Sequence, residues 1–312
     1  MFKTIAITAL FLFFFILLFT YVLFRIVFYM PNRDPNDEKF YPPSGKIYEP
    51  YNDFLMTWMK NYRSFPHETF SIQSFDGLTL YGNYYEQEPD APIELLFHGY
   101  RGTAERDLSI GIQRCFSMGR NILIVEQRAS GKSGGNVISF GINEHRDCLS
   151  WIDFVISHFG NDVKIFLGGI SMGASTVLMA AGRPLPPNVI YVMADCGYSS
   201  AKEIIKKCCR QLHLPADILY PFIKLSARIY GHFDLDETSP IEAMKNCKVP
   251  VVFIHGEADD FVPYEMSVQN YEACQTPKKL LLVPGAGHGV CYMLDQEGYK
   301  GALEEIAREA GL

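Results

Sequence analysis

An α/β fold, with a mostly parallel central sheet covered by helices on both faces, is the class that this sequence predicts. From Thr69 onward, short continuous apolar runs alternate with longer helical stretches, the pattern of strands buried on both faces of a parallel sheet. Between Cys196 and Pro240 the alternation stops and only helical periodicity remains, which predicts a helical cap inserted over about 197–240. At the front, residues 5–24 (IAITALFLFFFILLFTYVLF) carry no charge. At 1.5 Å per residue they reach about 30 Å, the thickness of a hydrocarbon core, so a transmembrane helix is expected there.

The apolar run is too long for a signal peptide, and the following RIVFYMPNRDP lacks a small-x-small cleavage pattern. An N-terminal anchor over 1–30 and membrane localisation follow as expectations. Lys3 lies on one flank and Arg25, Arg33, Lys39 and Lys46 on the other, which leaves the side of the membrane open. Residues 31–66, rich in Pro, Tyr, Asn and charge, read as a juxtamembrane linker. This leaves 67–312 for one large α/β domain.

In chain order, TFSIQS and LTLYGNYYE form a hairpin across Asp76-Gly77. The strand IELLF and the helix AERDLSIGIQRCFSM follow, then the strand NILIVE and the helix INEHRDCLSWIDFVISHF. VKIFL leads into a helix beginning after Ser171, and NVIYVMA precedes the cap. VPVVFIH and KLLLVP complete the set of strands. The net charge of −7 argues against a nucleic-acid partner. Eight cysteines, with no C-x-x-C pair among them, argue against a zinc site and a disulfide scaffold and fit a reducing compartment.

Gly169-Ile170-Ser171-Met172-Gly173 is a G-x-S-x-G sequence at a strand-to-helix turn. In such a turn a side chain at either glycine would strike a neighbouring element, and the serine hydroxyl projects above the sheet. A serine N-cap is the alternative reading of the same residue. A hydroxyl becomes nucleophilic when a base takes its proton and an acid fixes that base. The loop after VVFI supplies Asp259 and Asp260, and the loop after KLLLVP supplies His288. Asp260 reads as a cap for the helix beginning near Pro263, and Asp195 is a second candidate for the acid. His98 and His255, each before a glycine at a strand end, read as structural hydrogen-bonding groups. The oxyanion of an acyl intermediate needs N–H donors, for which the backbones of Met172 and Tyr100 are placed. No cofactor or metal is expected. ASGKSGG lacks the P-loop's first glycine because Glu126 stands there, GAGHGV lacks dinucleotide-binding spacing, and no H-E-x-x-H occurs.

HGYRG, EQRASGKSGG, GISMGA, HGEADDFVP and GAGH, in this order, resemble the α/β-hydrolase superfamily. The similarity is to its monoacylglycerol-lipase-like and serine-aminopeptidase-like branch, which includes membrane-anchored bacterial members. The resemblance runs from about Thr69 to Leu312. It implies Ser171 as nucleophile, Asp259 as acid, His288 as base, and Tyr100 and Met172 as oxyanion donors. One departure is Glu126-Gln127-Arg128, where the family has Asp-x-Arg. The expected function is a membrane-anchored serine hydrolase acting on a small-molecule carboxylic ester, with acyl or aromatic groups favoured by the apolar cap. The same residues would serve a peptidase, an amidase or an acyltransferase, and the fold alone would also serve as a silent binding module.

Overall fold

The computed structural model describes residues 1–31 and 38–312 of the chain. Residues 32–37 of the expected linker, Arg33 included, lie outside the described residues. Helix α1 (Phe2–Val27) is followed by a 3-10 turn (Glu49–Tyr51) and helix α2 (Asn52–Ser64). The α/β region then runs β1 (Glu68–Gln73), β2 (Thr79–Tyr85), β3 (Ile93–Phe97), α3 (Ala104–Ser117), β4 (Asn121–Glu126), α4 (Glu144–Phe159), β5 (Ile165–Ile170), α5 (Met172–Ala181) and β6 (Val189–Asp195). The insertion holds α6 (Ala201–Gln211), α7 (Ala216–Ser226) with a wider turn over Ala227–Gly231, and α8 (Pro240–Met244). The chain closes with β7 (Val251–Gly256), α9 (Glu265–Ala273), β8 (Lys278–Val283), α10 (Cys291–Leu294) and α11 (Gln296–Glu309).

Eight strands form one sheet in the order β1-β2-β4-β3-β5-β6-β7-β8. The pairs β1–β2 and β2–β4 are antiparallel, and every pair from β4 to β8 is parallel. Successive side chains enter opposite layers, as the period of two requires. Leu95, Phe97, Leu123, Val125 and Leu167 join the core beneath α4, α5 and the insertion. Leu96, Ile122, Ile124 and Phe166 join the core beneath α3 and α11. The strand order reverses around β3. The chain steps from β3 to β4 on one side and then returns across β3 to β5, so the loops after β3 and β5 face each other across a crevice.

Two stretches differ from the expectation drawn from composition. The described part of the 31–66 segment contains α2, which buries Leu55, Met59 and Tyr62 at helical spacing and packs along α3. Tyr85 donates its hydroxyl to Tyr62 O at 2.7 Å. A short amphipathic stripe in a polar segment gives a weak signal beside the strands that follow it. In α1, Phe24 is 6% exposed and the following Phe28 is 0% exposed, both within the first core. Phe28 lies edge-on to Phe140 and Phe233, and Ile138 N donates to Phe28 O at 2.9 Å. A helix that is apolar all round gives no periodicity to mark which residues meet protein. Among the described residues, α1 is the one helix long and apolar enough to cross a membrane by length and composition.

Phe28→Ala should therefore destabilise the folded domain by about 3–5 kcal/mol, the usual range for emptying a buried phenylalanine site. Urea unfolding in detergent measures this, and a loss below about 1 kcal/mol would show that the site closes without cost.

Candidate active site

At the end of β5 the backbone of Ser171 takes φ 56° and ψ −119°, a left-handed conformation that non-glycine residues adopt only when surrounding packing enforces it. The flanking glycines show the enforcement. A Cβ on Gly169 would lie 2.3 Å from the carbonyl of Gly173, and one on Gly173 would lie 2.0 Å from Phe97 O. Ser171 N donates to Asp195 O at 2.8 Å, which pins the turn to β6. The hydroxyl, on a residue 7% exposed, points into the crevice above the sheet.

Ser171 Oγ lies 3.0 Å from His288 Nε2, and His288 Nδ1 lies 2.7 Å from Asp259 Oδ2. The structure thus joins the three residues singled out in the sequence into one hydrogen-bonded chain, each from the loop after a different strand. Asp259 Oδ1 accepts from Phe261 N at 2.9 Å and Val262 N at 2.8 Å. Its Oδ2 also meets His255 Nε2 at 3.1 Å. Burial pushes this carboxyl up, but the hydrogen bonds with His255 and His288, the His288 charge and Val262 N–H outweigh it. The group is held well below the usual carboxylate range. Asp195 is occupied elsewhere, accepting the Tyr299 hydroxyl at 3.0 Å. Asp260 does not cap a helix; α9 begins at Glu265 with no side-chain cap, and the backbone O of Asp260 accepts from Gln211 at 2.8 Å.

Met172 is the first residue of α5, so its N–H is among the helix donors with no intrahelical partner. Gly99 brings the loop after β3 close, since a Cβ there would stand 3.3 Å from Ser171 Cβ. Asp107, in the first turn of α3, accepts Gly99 N at 2.9 Å and holds that loop. The next residue, Tyr100, donates its hydroxyl to Val27 O at 2.7 Å, and Arg101 donates to Ile26 O at 2.8 Å. The loop presenting Tyr100 N–H is therefore tied to the carboxyl end of α1. His98 is structural, accepting Gln127 N at 3.0 Å.

A cavity of about 480 Å³ opens onto Ser171 and His288. Its lining includes Ile47, Leu55, Ile110, Ile170, Phe261 and Met293, and no lining residue comes from the helical insertion. One wall is residues 43–48, part of the stretch read as linker, and Tyr48 donates its hydroxyl to His288 O at 2.9 Å. Asp107, Tyr48 and the pairing of His255 with Asp259 were absent from the site drawn from sequence, where only the histidine before Gly256 gave a visible signal. Cys196 Sγ stands 4.0 Å from His288 Nε2, and burial pushes its thiol well up. Cys196, Asp259 and His288 offer ligand atoms within 4.8 Å of one another, but the carboxylate and imidazole are already bonded and the thiol is held neutral. That donor set suits hydrogen bonding better than a metal ion.

An eight-stranded, mostly parallel sheet with the serine turn after β5 and loops converging at its carboxyl edge is the α/β-hydrolase fold, and this chain has it. No family model matches the sequence. The uncharacterized protein YqkD of Bacillus subtilis is 27% identical over 239 residues, 76% of this chain and 78% of its own. The Pyrococcus furiosus esterase Pf2001 superposes with a TM-score of 0.65 at 21% identity, covering 86% of this chain and 97% of that one. The alpha/beta hydrolase GrgF from Penicillium sp. sh18 does so with 0.62 at 16% identity, covering 78% and 99%.

The depressed Asp259 carboxyl has a consequence for stability. A group with a lower pKa folded than unfolded stabilises fully above its unfolded value and loses that contribution as pH falls through the folded one. The stability gap between the native chain and Asp259→Asn should shrink as pH falls below about 4. Urea unfolding across that range tests it, and a gap unchanged to about pH 2 would contradict the anchoring of this carboxylate.

Proposed function

We propose that this chain is a membrane-anchored serine hydrolase that cleaves carboxylic esters through an acyl-enzyme. The observation that carries the reading is the Asp259–His288–Ser171 chain, at 2.7 and 3.0 Å, set on a strained turn beside a cavity. His288 Nε2 takes the hydroxyl proton as Ser171 Oγ attacks the ester carbonyl carbon. Asp259 fixes the Nδ1–H tautomer and stabilises the imidazolium. The N–H groups of Met172 and Tyr100 receive the oxyanion. The intermediate collapses by breaking the carbonyl carbon to alkoxide bond, and His288 returns the proton to the leaving oxygen. Water, deprotonated by His288, then attacks the acyl carbon, and Ser171 leaves with that proton.

The apolar part of the lining, from Ile47 to Met293, suits an acyl chain or aromatic ring, while Lys46, Arg106, Asp107 and Asp260 bring charge to the same cavity. The likeness to Pf2001, which is called an esterase, is in keeping with this reading. Anchoring rests on α1, whose 26 residues are long and apolar enough to cross a bilayer and are mostly exposed.

Ser171→Ala and His288→Ala should each lower kcat on p-nitrophenyl esters by about 10⁴ or more, with the double variant losing little beyond either. A fluorophosphonate probe should label Ser171 in the native chain and not in Ser171→Ala. Penalties that simply sum, or labelling at another residue, would rule out these three acting as one unit.

A further inference from the structure

Helix α7 is apolar on two faces. Its inner face buries Ala216, Tyr220, Ile223 and Ala227 in the core. Its outer face is a second stripe of Ile218, Phe222, Leu225 and Ile229, spaced as one side of a helix. Ile218 is 66% exposed, Leu225 38% and Ile229 36%, and Leu212 and Leu214, in the turn before α7, are exposed as well. A helix facing water on its outer side would carry polar residues there.

The stripe runs along α1. Phe222 meets Phe19 edge-on at 5.4 Å, Tyr230 meets Tyr21 at 5.4 Å, and the Tyr230 hydroxyl donates to Leu17 O at 2.8 Å. The unpacked part of α1 is residues 2–15, all exposed. Its uncharged portion, residues 5–15, is about 17 Å long at 1.5 Å per residue, against about 30 Å of hydrocarbon in a bilayer. The missing stretch of about 13 Å corresponds to residues 16–24, along which Phe19 meets Phe222 of α7 while Leu17, Tyr21 and Phe24 meet Tyr230 in the turn after it. A crossing by α1 therefore carries α7 down with it.

We infer that the outer stripe of α7, with Leu212 and Leu214, is a bilayer-docking surface seated among lipid headgroups and upper acyl chains beside α1. The inference rests on reading α1 as a membrane anchor. Tyr21 and Tyr230 stand at the level where amphipathic rings favour the membrane boundary, and Arg25 stacks over Tyr29 at 3.9 Å just beyond it. Lys224 with Asp236 and Arg228 with Asp234 pair the charges flanking the stripe. The cavity rim is tied to the same surface. Gln211, immediately before Leu212, holds Asp260 O, while Lys207 bonds the carbonyls of Asp260 and Phe261, both of which line the cavity. A long-chain ester dissolved in the bilayer would thus meet the rim without crossing water.

The test places the full-length protein in phosphatidylcholine vesicles containing a phospholipid with a diazirine in its acyl chain, followed by photolysis and peptide mass spectrometry. Adducts are expected on α1 and also within residues 212–229. Ile218→Asp with Leu225→Asp should remove the adducts over 212–229. It should also lower turnover of a vesicle-borne long-chain p-nitrophenyl ester about tenfold while leaving that of soluble p-nitrophenyl acetate unchanged. Adducts confined to residues 2–15, in protein that survives a carbonate wash, overturn the docking surface and leave the anchor reading intact. Release of the protein by carbonate, without adducts, overturns both. Because wild-type labelling decides these outcomes alone, poor folding of the double variant does not blunt the test.

Discussion

The close approach of α5 to the end of β3 is the contact from which the carboxyl edge of the sheet is organised. No Cβ fits between Gly173 and Phe97 O, or between Gly169 and the first turn of α5. The chain can therefore leave β5 for α5 only by forcing Ser171 into a left-handed backbone, a strain costing on the order of 1–3 kcal/mol. What sustains the strain is the helix itself. Every residue from Met172 to Ala181 is buried, so α5 has no freedom to slide and relieve the turn. Packing against β3, β5, β6, α4 and α8 thus holds the hydroxyl at its place above the sheet.

A second close approach sets the other half of the site. A Cβ on Gly256 would lie 2.2 Å from Ala286 O, and Ala258 N donates to that carbonyl at 2.9 Å. The loops after β7 and β8 are thereby held together, which sets Asp259 against His288. A buried carboxylate is costly unless its lone pairs are met. Here two backbone N–H groups meet one oxygen and two imidazoles the other. His255, whose Nδ1 lies 2.7 Å from Ser267 Oγ, meets the same carboxylate oxygen as His288. These partners hold the carboxyl below its usual range, and each comes from backbone or from an imidazole ring.

The sequence disclosed β3 to β7 because strands buried on both faces produce unbroken apolar runs, and the β1–β2 pair through the Asp76-Gly77 turn. It pointed to Ser171 and His288 through the glycines beside them and to Asp259 through its loop after a strand, and the structure joins these three in one hydrogen-bonded chain. What it did not disclose depends on side chains that meet across long separations. Asp107 looks like an ordinary acidic residue in the first turn of a helix, and only the path of the loop after β3 gives it Gly99 N–H. Tyr48 lies in a proline-rich stretch whose composition suggests a linker, yet its hydroxyl reaches His288 O. The two ends of α1 share one composition. Nothing in that composition separates the turns exposed at residues 2–15 from the turn that buries Phe24.

Both stretches flanking residues 32–37 support the cavity, one through the loop it ties down and the other as a wall. Before it, the carbonyls of Ile26 and Val27 receive Arg101 and Tyr100, so the end of α1 helps to fix the loop that presents the Tyr100 N–H. After it, residues 43–48 form a cavity wall and Tyr48 steadies the His288 loop. The two kinds of support differ physically. Ser171 and the Asp259–His288 pair are set by backbone contacts that admit no Cβ, where substitution meets hard steric limits. The space around them is bounded by side chains such as Ile47, Leu55 and Phe261, whose replacement changes volume without moving the backbone. The hydrogen-bonded chain is thus held by the sheet, while the cavity beside it is shaped by side chains from segments outside the sheet.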